Sequence, residues 1–547
     1  MLTLRALLLS AFAAILWPVS SNAEELTDIC LKSGIQVRAR IETREGRFIL
    51  YIQGSSTPSD MTGQIHSVGV PDDPVCKQEG DKRKDNPISQ TTKFGIRGSN
   101  TIGERLMPML IEAYANKNFG APPAVRIIEP EHQEMEIKRP GAAQPDVLID
   151  FWSKGSGTAP PALKDHLADI GMMSRRMKDE EAAAIKAAQN VNPLEPESGG
   201  EHVVALDGLA VIVNPGNPVK KLSLDTVARI FSCEITNWRD VKGKNANNED
   251  VSGPDAPISV HARDNKSGTF DTFKAVVLEE RKQKICDSAT RYESSEALSA
   301  AVSKDLNAIG FIGFPFINRN VPLRILSACG LDSEPESFQV KMETYPLARR
   351  LYLYTLGTPS ERLVKDLVAF SLSDEAQKTV KEAGFIDQLV DMPQQESQQR
   401  WLRTLEDNPK YGLADDKEAP RPAARQFSRL ASGMQRTSIV FRFARGESVL
   451  DTLARQNVGR LARYLGQPGQ SGRRVLLVGF ADSDGGWASN YALAVARAQT
   501  VLKELRGSGQ SMPQIQVYSM SYAAPVACND SDKGRSLNRR VEVWISN

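Results

Sequence analysis

Three short runs of small and hydroxyl-bearing residues carry the first chemical signal: Gly98-Ser-Asn-Thr101, Gly155-Ser-Gly-Thr158 and Ser267-Gly-Thr-Phe270. Each falls where a strand or loop gives way to a helix. There the unsatisfied N–H groups of the first helical turn, together with a hydroxyl, can be aimed at an anion. Any one cluster taken alone is an ordinary N-cap. Arg263, four residues before Ser267, adds a fork of N–H donors suited to an oxyanion. A second constellation lies further on. Asp482 follows a strand-like run, while Asn490 and Arg497 are seven residues apart on a helical stretch and so share the face near that loop. An acid and a base together suit a zwitterion; the bland alternative is a surface salt bridge between Asp482 and Arg497, worth about 1 kcal/mol or less.

The elements that must hold these residues are legible as patterns. Residues 124–128, 146–150 and 208–213 are short apolar runs suited to buried strands, whereas Ile102, Leu106, Met109, Leu110 and Ala113 recur at helical spacing. This reads as an α/β domain. Residues 35–41 and 48–52, separated by Arg44-Glu-Gly46, read as a hairpin in a small β-rich unit spanning 24–90, with 77–87 as a charged linker. Residues 392–435, rich in Pro, Gln and charge, read as a second linker. Beyond it the pattern is strand (438–443), helix (449–465), strand (474–479), helix (490–506), then strands at 514–520 and 540–546. In the last strand Val541, Val543 and Ile545 alternate with Arg540, Glu542 and Trp544, as in a half-buried strand.

Composition narrows the function classes. A chain of 547 residues is too long for one core, and 41% hydrophobic with 25% charged residues is ordinary for globular protein. Lys plus Arg (68) balance Asp plus Glu (67), so there is no broad field to recruit nucleic acid, and any anion site must be local. Arg5, the apolar run 6–17 and the small residues up to Ala23 form a secretory-signal pattern, with cleavage expected after Ala23; the run is shorter than the ~20 residues of a membrane span. Six cysteines without a CxxC pair then face an oxidising compartment, where structural disulfides are expected, Cys30 with Cys76 and Cys233 with Cys286 being the favoured pairs. The five histidines lack metal-ligand spacing, and neither a P-loop nor a Gly-x-Ser-x-Gly elbow occurs, so no metal, cofactor or catalytic residue is expected.

Taken in order, Gly98-Ser-Asn-Thr-Ile-Gly103, 168–175 (ADIGMMSR), 207–214 (DGLAVIVN), 230–238 (IFSCEITNW), 263–269 (RDNKSGT), 309–313 (IGFIG) and Tyr345-Pro-Leu347 resemble the PstS-like periplasmic phosphate-binding proteins over about residues 91–390. The resemblance implies a two-lobed periplasmic binding-protein fold (91–391) closing over an oxyanion. Its ligand roles fall on Thr101 and the Ile102 amide, on Ser156, and on Arg263, Ser267, Gly268 and Thr269. Two positions depart from the phosphate-specialised pattern: Ser174-Arg175 stands where a proton-accepting Asp often occurs, and Lys266 replaces the usual Gly. Residues 436–547 resemble the OmpA-like peptidoglycan-binding domain through Val478-Gly-Phe-Ala-Asp482, Gly485, Asn490, Arg497-Ala498 and Asn538-Arg-Arg-Val-Glu542. That implies an α+β domain whose Asp482 and Arg497, flanked by Asn490, clasp the diaminopimelate of a peptidoglycan stem peptide. Together the resemblances imply a non-enzymatic, peptidoglycan-associated protein of the periplasm that binds phosphate or a related oxyanion, with an ABC importer as a candidate partner. The alternative is an envelope scaffold or sensor whose binding lobe docks a protein.

Overall fold

A strand apolar on both faces must lie inside a covered sheet, and Glu201–Val213 is one, buried without interruption from Val203 to Val213. Its first half pairs antiparallel with Ala348–Tyr354 and its second half, Leu209 to Val213, with Ala308–Gly313. It therefore runs through both halves of a sheet of eleven strands. On one side of this crossing lie Ile170–Met173, Thr92–Gly98, Val147–Trp152, His132–Ile137 and Ala124–Glu129; on the other lie Ala308–Gly313, Ser259–Arg263 and Thr290–Tyr292. The first lobe packs the helices Met107–Phe119, Arg362–Leu372 and Ala376–Glu382 around Ile96, Leu110, Ile149, Leu353 and Leu367. The second is built on Val211, Phe231, Trp238, Phe273 and Phe311, with Phe273 and Phe311 stacked at 3.9 Å.

This computed structural model describes residues 91–547 except 266, 328, 330, 394 and 408–419, and in the first 90 residues only the strands. Those strands, Thr27–Leu31, Gln36–Arg44, Arg47–Ile52, Ser59–Asp60 and Ile65–Val68, form one antiparallel sheet in which Arg44 stands opposite Arg47. The expected signal segment, the Cys30–Cys76 pair, the 77–87 linker and Lys266 lie outside the described residues.

The expectation of a buried strand at 124–128 is corrected: Ala124–Glu129 is exposed along its length and ends the sheet, with Ile127 71% exposed. Its apolar run gave no sign of edge position, which depends on sheet order. Surface charges such as the Arg126–Glu134 pair blunt this edge.

The C-terminal region has the strand order Met434–Arg442, Arg540–Ser546, Arg474–Phe480, Gln514–Ser519, with the helices Thr452–Leu465 and Trp487–Gly507 packed on Leu477, Val541 and Val543. The last strand is buried on both faces, not half-buried as its alternation implied. The covering comes from the segment read as a linker, which contains the helices Gln395–Asp407 and Pro420–Ala431. Trp401 stacks on Trp544 at 6.2 Å and Phe427 meets it edge-on at 5.3 Å. The charges of that face are paired internally: Glu542 accepts from Arg540 at 2.7 Å and from Arg436 at 2.5 Å.

Cys233 is bonded to Cys286, as expected, and Cys329 to Cys528, a pair joining the second lobe to the C-terminal region. No helix among the described residues is long and apolar enough to cross a membrane.

His202, on the crossing strand, holds its Nε2 3.2 Å from Thr355 Oγ1, and burial pushes its pKa down to about 4. Between its unfolded value and pH 4 the unfolded chain takes up a proton that the native state refuses. Stability contributed by this group is therefore complete above about pH 6.5 and is lost as the pH falls. Chemical denaturation at pH 7 and 4.5 is expected to show that His202→Gln removes about 2 to 3 kcal/mol of the acid-induced loss. An identical pH dependence in variant and wild type would show that His202 protonates freely in the folded state.

Candidate functional site

The three hydroxyl clusters converge at the junction of the two lobes. Thr92–Gly98 and Ile170–Met173 run parallel side by side, and Ser99 N donates to Met172 O at 2.8 Å. The approach is so close that a Cβ on Gly98, whose φ is +142°, would stand 2.0 Å from that oxygen; only glycine fits. The chain then enters a helical turn, Ile102–Leu106, that continues into Met107–Phe119. Thr101 is thereby set at a helix N-terminus, while the Ile102 side chain is buried in the first lobe's core, leaving its amide as the group that can serve a ligand. The second cluster opens the Ser156–Thr158 turn before Ala159–Lys164, and the third opens Gly268–Phe273.

Thr101, Arg263, Ser267, Gly268 and Thr269 line one cleft with Asn100, Glu104, Asp207 and Ser295. Ser156 reaches it through Ser174, its Oγ 3.1 Å from Ser174 Oγ and accepting from Ser174 N at 3.0 Å. A Cβ on Gly268 would stand 2.7 Å from Ser174 Oγ and 2.9 Å from Thr101 Oγ1, so the lobes meet at this glycine and the cleft is closed. Ser174 therefore belongs to the site, a role that a lone serine after an apolar strand does not advertise. So do Asp207 and Arg349, one on each strand that crosses between the lobes. They are buried and paired at 2.6 Å, and Arg349 also donates to Gly268 O at 2.6 Å, tying the third cluster to the hinge.

Arg263 is held by Ser295 Oγ at 2.5 Å and by Glu293 O at 2.8 Å, while its Nε is buried without a partner. Ser99 Oγ and Asn100 Oδ1 are likewise buried and unpartnered. Burial lowers the pKa of Arg263 and raises that of Glu104, whose rise the neighbouring Arg263 charge opposes. The cleft thus has a desolvated cation, directed N–H and O–H groups, the Glu104 carboxyl, and the Asp207 carboxyl, which is taken up by Arg349. Such a set can replace the hydration shell of a small oxyanion and sense whether that anion carries a proton.

In the C-terminal region Asp482 follows the Arg474–Phe480 strand and pairs with Arg539 at 2.6 Å, not with Arg497. Asn490 donates to Asp484 O at 2.9 Å and so shapes the loop after Asp482. Arg497 donates to Glu447 O at 2.9 Å and Ala444 O at 3.2 Å and lies 5.4 Å from the Phe443 ring, and its Nη1 is buried without a partner. Burial, with Arg539 adding to it, brings the Arg497 pKa down to about 10 while Asp482 opposes the fall. The three residues therefore gather around one loop cluster, each fixed by a neighbour. Arg539 is the member that reading by helical face missed, although it stands in the Asn538-Arg-Arg540 run.

Residues 134–375 match the PBP superfamily domain and residues 442–539 the OmpA family. Among curated proteins, the phosphate-binding protein PstS of Pseudomonas aeruginosa is 30% identical over 260 residues, covering 44% of this chain and 75% of that protein. Protein SphX of Synechococcus elongatus is 32% identical over 228 residues, covering 40% of this chain and 62% of that protein. Among solved structures, an ABC-type phosphate transport receptor from Vibrio cholerae is 24% identical, with a TM-score of 0.41 over 54% of this chain and 99% of its own.

Proposed function

Because this chain belongs to the PstS-like proteins of the PBP superfamily and carries an OmpA family domain, we propose that it is a periplasmic receptor for phosphate, tethered without a covalent bond to peptidoglycan. It acts by binding, not by catalysis, and hands its anion to an ABC importer. The observation that carries the reading is the closed cleft, in which the helix starts at Thr101 and Gly268 share a wall with Arg263, a buried guanidinium whose Nε lacks a partner, and Ser156 joins them through Ser174. Thr101, the Ile102 amide, Ser156, Ser267, Gly268 and Thr269 supply the remaining donors. In the C-terminal domain Asp482 takes the amine and Arg497 the carboxylate of a diaminopimelate side chain, with Asn490 holding the loop between them.

Glu104 fills the place left by the absent aspartate. It lines the cleft one helical turn after Thr101, and when ionised it accepts a hydrogen bond from the P–OH of hydrogen phosphate, which sulfate cannot offer. Calorimetry on the whole chain is expected to give micromolar or tighter phosphate binding and sulfate binding weaker by tenfold or more, with Glu104→Gln narrowing that gap. Because the Glu104 pKa is raised, the gap should also close from above the usual carboxylate range as the pH falls. Absence of binding by either anion would favour the scaffold reading, in which the lobes dock a protein.

A further inference from the structure

The OmpA family domain is fastened to both lobes and to the hinge between them. Cys528 is bonded to Cys329 of the second lobe. Arg463 grips Asp374 of the first lobe through two bonds of 2.7 Å. Asp451 pairs at 2.7 Å with Arg350, which lies on the crossing strand Ala348–Tyr354. Arg442 donates to Met342 O and approaches Glu343 at 3.9 Å, and Leu453 joins the apolar cluster of Val340, Leu347 and Tyr352. Two lobes that hinge apart cannot both keep these attachments to one rigid body. The attachments described belong to the closed cleft, since Gly268 touches Ser174 and Thr101 across it.

The same contacts bracket the segment that holds Arg497. Its carbonyl partners, Ala444 and Glu447, lie between Arg442 and Asp451, the two residues that clamp this segment to Met342, Glu343 and Arg350 at the hinge. We propose that residues 443–450 couple the two sites: closure over an oxyanion sets the backbone that positions Arg497 and tightens the hold on the wall, and wall binding in turn tightens the hold on the oxyanion. The proposal rests on the two ligand assignments above and adds that they depend on each other, reciprocally as linkage requires.

The test uses the whole chain, inorganic phosphate and purified diaminopimelate-type peptidoglycan. Saturating phosphate is expected to lower by about fivefold or more the amount of peptidoglycan needed to sediment half of the protein. Asp451→Asn should abolish most of that shift while each ligand still binds alone. Asn keeps the N-cap that Asp451 provides to Ala454 N, and Glu343 remains on Arg350 at 2.5 Å. Arg463→Ala, which frees the first lobe at a solvent-exposed pair, is a second variant with the same expected loss and little risk to folding. If both ligands bind but phosphate leaves the peptidoglycan midpoint unchanged in the wild type, the coupling is refuted and the ligand assignments stand. If one ligand fails to bind on its own, the assignment of that site is refuted and the coupling with it.

Discussion

Arg263→Ala is expected to weaken phosphate affinity by tenfold or more while the chain stays folded. A charge-assisted hydrogen bond is worth about 1.5 to 3 kcal/mol, and tenfold corresponds to about 1.4 kcal/mol. The guanidinium is buried, anchored by Ser295 and Glu293, and keeps an unpartnered Nε. Without a ligand it is therefore a desolvated cation whose nearest compensation comes from Glu104, Asp264 and Glu296. A bound oxyanion offsets that cost and the variant has no such cost to offset, so the thermal stabilisation by saturating phosphate should shrink in parallel with affinity. Arg263→Lys keeps the charge but not the fork, and should fall between wild type and alanine. Calorimetry giving equal affinity for Arg263→Ala and wild type would remove this residue from the site.

The meeting of the three hydroxyl clusters was foreshadowed in the sequence because helix starts impose local demands. Gly98, Gly155 and Gly268 with their neighbouring hydroxyls must occur at helix starts, and such starts can be read from residue type and spacing. Ser174 was not legible in this way. Its place follows from Ile170–Met173 pairing in parallel beside Thr92–Gly98, a neighbour relation across more than 70 residues that periodicity does not report. The Asp207–Arg349 pair is of the same kind: its members lie on two strands brought together only by the crossing between lobes.

In the C-terminal domain the helices and strands followed their periodicity, but the covering of the last strand did not. Trp401 and Phe427 sit in a stretch whose Gln, Pro and charge outweigh its few apolar residues, yet those few are the ones that bury Trp544. Cys329 and Cys528, 199 residues apart, are one of the fifteen cysteine pairs that six cysteines can form, and only the packing of the OmpA family domain on the second lobe selects it.

Asp482→Ala and Arg497→Ala are each expected to abolish most sedimentation of the protein with diaminopimelate-type peptidoglycan, an effect larger than that of Arg263→Ala on phosphate. The proposed ligand presents an amine and a carboxylate on one short side chain, so deleting either proposed partner would leave a desolvated charge facing nothing. Both residues also have structural partners. Asp482 neutralises Arg539 at 2.6 Å, and Arg497 braces the carbonyls of Ala444 and Glu447. Removing one member of a buried ion pair costs about 3 to 5 kcal/mol, so the unfolding midpoint of each variant must accompany its binding curve. Asp482→Asn retains a hydrogen-bond acceptor for Arg539 while losing the charge proposed for the amine, and should unfold closer to the wild type than Asp482→Ala yet bind poorly. The double alanine variant is expected to sediment little worse than either single one, because residues acting on one shared ligand are not additive. Independent losses of fold would instead add. If both single variants remain folded and sediment like the wild type, the domain does not hold the wall through these charges, and its attachment to both lobes would have to serve contacts with protein.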